Sequence, residues 1–96
     1  MTYNKIDPKI NNWINKFDLK LLKEYKDYDV RTVEIVDKKG NKYQIWIDPP
    51  NKNEEVGIHA WDYKHKRIDR KTSIDTLEKS LDTIYGDVIK WTKSAR

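Results

Sequence analysis

Three stretches in the middle of the chain change side-chain character at every second residue: 30–37 (VRTVEIVD), 42–48 (KYQIWID) and 55–63 (EVGIHAWDY). A period of two is the pattern of a β-strand with one face buried. Sorting the positions by parity gives two faces. One carries Val33, Ile35, Tyr43, Ile45, Ile47, Val56, Ile58 and Ala60, and this face predicts the core. The other carries Thr32, Glu34, Val36, Gln44, Trp46, Asp48, His59, Trp61 and Tyr63. An antiparallel sheet can leave one face in water, but this one holds three large aromatic rings. Lys38-Lys39-Gly40-Asn41 reads as the first turn, with Gly or Asn able to take positive φ. Pro49-Pro50-Asn51 ends the second strand, because proline cannot donate to a ladder. Residues 66–72 are read as a short fourth strand or a loop.

The period changes to 3.6 at both ends. Ile10, Ile14, Phe17, Leu21 and Tyr28 recur at helical spacing, with Trp13 and Tyr25 on the flanks. Asp7-Pro8 predicts the start, Asp as cap and Pro in the first turn. Leu19 and Leu22 fall off this face, which points to a break near Asp18 or a second contact. Ile74, Leu77, Leu81, Ile84, Val88 and Trp91 step by three and four, the clearest periodic signal in the chain. Thr72-Ser73 with Asp75 reads as the cap of that last helix. Gly86 falls on its solvent side. The expected architecture is α+β in the order α-β-β-β-α. A three- or four-stranded antiparallel meander packs two helices on one face.

A chain of 96 residues predicts one domain, 1–96, burying about 60–65% of its unfolded surface. Charged residues make up 38% and hydrophobic ones 36%, a balance that approaches disorder. The periodic placement of four Trp and six Tyr argues for a packed fold instead. Absence of cysteine excludes disulfides, thiolate nucleophiles and cysteine-bound zinc. The segment MTYNKIDPKINNW has no signal-peptide apolar run, and no stretch is long enough to span a bilayer. The expected location is cytoplasmic.

Chemistry has few candidates. Glu34 and His59 share a predicted face, so an acid–base pair is conceivable, but no nucleophile or oxyanion donor accompanies them. His59, His65 and Asp62 do not have the spacing of a metal site. The three glycines are scattered and form no phosphate loop. The chain therefore reads as a non-enzyme without a cofactor. Lys64–Lys71 (KHKRIDRK) beside an aromatic face suits nucleic acid, with rings stacking on bases and cations on phosphates. The order α-β-β-β-α is also that of double-stranded RNA-binding domains, although the phosphate-gripping motifs of that family are missing. Trp46, Trp61 and Tyr63 could equally be covered by a C-terminal tail or a fourth strand, or form a protein interface, where Trp, Tyr and Arg act as anchors and acids at the rim set specificity.

The chain also resembles a known family. Trp13-Ile14 and Phe17 in the first helix, Val33-Glu34-Ile35-Val36-Asp37, Gly40, Ile45-Trp46-Ile47-Asp48, Trp61, and Leu77, Leu81, Ile84 and Trp91 in the last helix are similar to the immunity protein 53 family of bacterial polymorphic toxin systems. The chain departs from that family at its first turn, Asp37-Lys38-Lys39-Gly40-Asn41, and after the first helix, at Lys26-Asp27-Tyr28-Asp29. The resemblance implies a cytoplasmic protein that binds and neutralises a cognate toxin C-terminal domain. A net charge of +4 does not suit overall mimicry of nucleic acid, so grouped acids or an acidic toxin surface would be needed. The expected partner-binding residues are Glu34, Trp46, Asp48, His59, Trp61 and Tyr63, with Arg67 and Arg70 at the edge. The alternative function is a small basic nucleic-acid-binding domain.

Overall fold

The structure, a computed structural model, describes residues 3–22 and 30–94. Helix α1 spans Asp7–Phe17 and is followed by five strands: β1 Lys20–Leu22, β2 Arg31–Val36, β3 Lys42–Ile47, β4 Glu55–Trp61 and β5 Arg67–Ser73. Helix α2, Leu77–Ser94, closes the chain. The strands lie in sequence order in one sheet, all neighbours antiparallel. This is the expected α+β meander with helices on one face, and among the described residues it has five strands rather than three or four.

The extra strand comes from a stretch whose apolar spacing fits a helix. Asp18 takes the left-handed conformation at φ 52°, and its N–H caps the carbonyls of Asn15 and Ile14, which ends α1. Leu21 then lies opposite Val33 and faces the core, while Lys20 and Leu22 face outward opposite Glu34 and Thr32. Tyr25 and Tyr28 lie outside the described residues. The fourth expected strand is β5, running to Ser73.

Two start signals act differently from expectation. Asp7 does not cap α1: Ile6 occupies that position, with no side-chain cap bond. The Asp7 carboxylate instead takes a two-point hydrogen bond from Arg31, Nε at 3.0 Å and Nη2 at 3.1 Å. Before α2, Ser73 Oγ accepts the Thr76 N–H at 3.4 Å and the helix proper begins at Leu77.

Three turns share one device, an Asx side chain that accepts amides two and four residues ahead. Asp37 Oδ1 accepts the N–H groups of Lys39 and Asn41, both at 2.9 Å. Asn51 Oδ1 does the same for Asn53 and Glu55. Asp62 Oδ1 accepts from Lys64, His65 and Lys66. Gly40 supplies a left-handed residue at φ 85° without the Cβ clash other residues pay.

The core joins Ile10 and Trp13 of α1 and Leu77, Leu81, Ile84 and Val88 of α2 to Val33, Tyr43, Ile45, Ile47, Val56, Ile58 and Ala60 of the sheet. Ile35, the eighth residue of the predicted inner face, is partly buried against this cluster. Tyr3 and Ile6 extend it, and the Tyr3 hydroxyl donates to the Ile47 carbonyl at 2.7 Å. Trp13 Nε1 has no acceptor among the described residues. Its ring buries on the order of 200 Å², about 5 kcal/mol at 25 cal/mol/Å², which exceeds the ~1–3 kcal/mol of a lost partner. Between the helices, Lys16 pairs with Asp82 at 2.7 Å and Phe17 stacks on Tyr85 at 4.2 Å. No described helix is long and apolar enough to cross a membrane.

Leu81 is wholly buried beneath the sheet. Leu81→Ala should cost about 2–5 kcal/mol, a large share of the ~5–15 kcal/mol that holds a domain folded. Denaturant melts of both proteins measure the difference, and equal midpoints would remove α2 from the core.

Candidate functional site

The strand register arranges the outer face in rows that cross the whole sheet. One row reads Leu22, Thr32, Trp46, His59, Asp69 from β1 to β5. The next reads Lys20, Glu34, Gln44, Trp61, Arg67. None of these outer residues belongs to the helix-side core. The face is still not uniformly wet: Thr32, between Leu22 and Trp46, is only 3% exposed.

His59 is the centre of the first row. Its Nδ1 meets Asp69 Oδ1 at 2.5 Å and its Nε2 meets Asp48 Oδ2 at 2.7 Å. Ionised carboxylates only accept, so both contacts are hydrogen bonds when the ring carries a proton on each nitrogen, the imidazolium form. Burial of the ring works against its charge, but the hydrogen bonds to Asp69 and Asp48 outweigh burial and raise its pKa above the ordinary 6.5. Asp69 in turn takes Arg67 Nε at 2.8 Å and Nη2 at 3.1 Å. The Arg67 guanidinium, and then His59, hold the Asp69 carboxyl down at about 2.

Trp46 binds this network into one block. Its ring stacks on His59 at 5.0 Å and 18°, and the Arg67 guanidinium lies 5.3 Å from its centroid. Two cations thus lie against one indole, an arrangement the ring quadrupole favours. Space for it comes from Gly57. A Cβ there would stand 2.6 Å from Asp48 Oδ2 and 3.2 Å from His59 Nε2. Any side chain at 57 would push the Asp48 carboxylate off the imidazole.

Trp61 sits one row along, and Tyr63 leans on it with centroids 4.7 Å apart and planes at 39°. Tyr63 was expected inside the third strand. It lies beyond the end of β4, in the turn, at φ 64° and 41% exposed. A left-handed tyrosine costs on the order of 1–3 kcal/mol, and here it returns the ring to the outer face.

The structure thus brings Trp46, Asp48, His59, Trp61, Tyr63 and Arg67 together. Glu34 shares the face but not the pairing: two strand spacings, roughly 10 Å, separate β2 from β4, and His59 is held by Asp48 and Asp69 instead. Arg70 pairs with Ile58, so its side chain leaves the edge strand on the helix side. Asp69 and Gly57 were missed. The parity of β5, once it is taken as a strand, places Asp69 beside His59. In the imidazolium form both nitrogens of His59 are engaged by Asp69 and Asp48. Among the described residues no group of three or more His, Cys, Asp or Glu is placed to hold a metal ion.

The charge on His59 has a signed consequence for stability. A pKa raised on folding contributes stability that is full below the unfolded value, about 6.5. That contribution is lost as pH rises through the higher folded value. The stability gap between the wild type and His59→Gln should therefore narrow on the alkaline side of neutrality. Gly57→Ala should break the Asp48 bond and lower the His59 pKa with little loss of fold, as read from the imidazole resonances in an NMR titration. An unchanged titration would show that Asp48 does not hold the ring.

Set against protein-family models, curated proteins and solved structures, the chain shows a match to none of them.

Proposed function

We propose that this protein is a cytoplasmic immunity protein that neutralises a cognate toxin C-terminal domain by direct contact, using the outer face of the sheet. The observation that carries the reading is the gathering of Trp46, Trp61 and Tyr63 around the Asp48–His59–Asp69–Arg67 chain on a face to which neither described helix contributes. Aromatic and arginine anchors dominate binding energy at protein interfaces. These anchors are already fixed by stacking and ion pairing, so little side-chain entropy remains to be lost on association. The resemblance to the immunity protein 53 family supports the same reading.

Charge supports protein over nucleic acid as the partner. In the His59 network two carboxylates offset two cations, and Glu34 adds another acid in the next row. A phosphate backbone calls for a continuous basic surface. The mixed signs on this face suit a partner of mixed charge, with the rim setting on-rate and register.

Trp61→Ala tests the face. The variant should keep a melting temperature near that of the wild type and bind the neighbouring toxin domain at least about 2 kcal/mol more weakly, roughly thirtyfold in Kd. It should also lose protection of cells expressing that toxin. A stable variant that binds and protects normally would overturn the assignment. So would submicromolar binding of the wild type to a short nucleic-acid duplex at physiological salt, which would favour the nucleic-acid reading.

A further inference from the structure

The opposite end of the sheet from Asp48 holds a cavity of about 510 Å³ between the β2–β3 turn, the β4–β5 turn and the last turn of α2. Its walls include Lys42, Tyr63, Lys64, Lys66, Trp91 and Ser94. The size lies within the range of small-molecule sites, about 300–1,000 Å³. Three lysines and three aromatic residues, Tyr43 with Tyr63 and Trp91, line it. Among the described residues none of the three lysines forms an ion pair. Lys66 bonds only the neutral Ser94 hydroxyl, at 3.2 Å, and so keeps its charge uncompensated. The one acid in the wall, Asp62, spends Oδ1 on the amides of its own turn.

We propose that this cavity binds a nucleoside monophosphate, with the base against Trp91 and Tyr63 and the phosphate on Lys42 and Lys64. The helix dipole orients the ligand. The C-terminal end of α2 carries partial negative charge, so the phosphate belongs on the side of the turns and the base on the side of the helix. The turn amides are already filled by Asp62, which leaves the ammonium groups as the phosphate donors. Stacking tolerates any base, so the site selects a phosphate joined to a flat ring. The site is separate from the toxin-binding reading and shares only Tyr63 with it.

Calorimetric titration with adenosine 5′-monophosphate, adenosine and inorganic phosphate tests the assignment. The nucleotide should bind, and both fragments should bind at least about tenfold more weakly, since each loses one half of the recognition. The double variant Lys42→Gln/Lys64→Gln changes two exposed side chains, and far-UV circular dichroism checks that it is folded. It should bind the nucleotide at least about tenfold more weakly, as the loss of charge-assisted hydrogen bonds requires. Absence of nucleotide binding at millimolar concentration overturns the proposal, as does equal binding by the double variant. Phosphate binding as well as the nucleotide reduces the site to a patch of charge and overturns it too. Failure of the nucleotide alongside tight binding of a single-stranded oligonucleotide would replace it with a polymer site. If only Trp61→Ala fails its test, the cavity is unaffected, because neither lysine lies in the outer-face network.

Discussion

The burial of one sheet face fixes the rest of the molecule. A one-residue slip in any strand would move its apolar side chains into water and its polar ones under the helices. Val33, Ile45, Ile47, Val56, Ile58 and Ala60 have no measurable exposure, so that slip would cost several side chains' worth of burial at once. The outer face inherits its geometry from this constraint. Trp46 meets His59, and His59 meets Asp69, because Ile45, Ile58 and Ile68 must point the other way.

The turns make the register local as well as global. Asp37, Asn51 and Asp62 each tie down the amides of the residues that follow them, so strand ends are held by contacts close in sequence. Asp37 also reaches forward to the Tyr43 hydroxyl at 3.2 Å, coupling the first turn to a core residue. At the far end of the sheet, Arg31 joins the sheet to the start of α1 through Asp7 and lies 4.1 Å from the Tyr3 ring centroid. These contacts account for the order of a domain that has only a thin core.

Much of this was legible in the sequence because period two and period 3.6 are hard to confuse over long segments. The inner and outer faces of β2, β3 and β4 came directly from parity, and α2 came from its three-four steps. The helical face ran past the first helix because Leu21 satisfies both periods, while Leu19 and Leu22, off that face, marked the break near Asp18 that the structure has. Glu34 and His59 share a face, as parity gives, but not a row, because only register assigns a row. Arg67 and Arg70, expected at the edge, both lie on the edge strand β5, but three residues along a strand put their side chains on opposite sides. The clamp on His59 needed Gly57, whose meaning is the absence of a side chain, and absence has no periodic signature.

The sequential order of the strands has a consequence for the growing chain. Each sheet pairing joins neighbours in sequence, so loop closure is cheap and the meander can assemble hairpin by hairpin. The closing contacts are of another kind. Lys16 meets Asp82 across 66 positions, and the inner face that α1 covers in part is closed only when the 18 residues of α2 arrive. During synthesis the sheet's apolar side therefore stays partly open until α2 has been made. In that interval the exposed apolar surface is of the kind that makes incomplete chains prone to association.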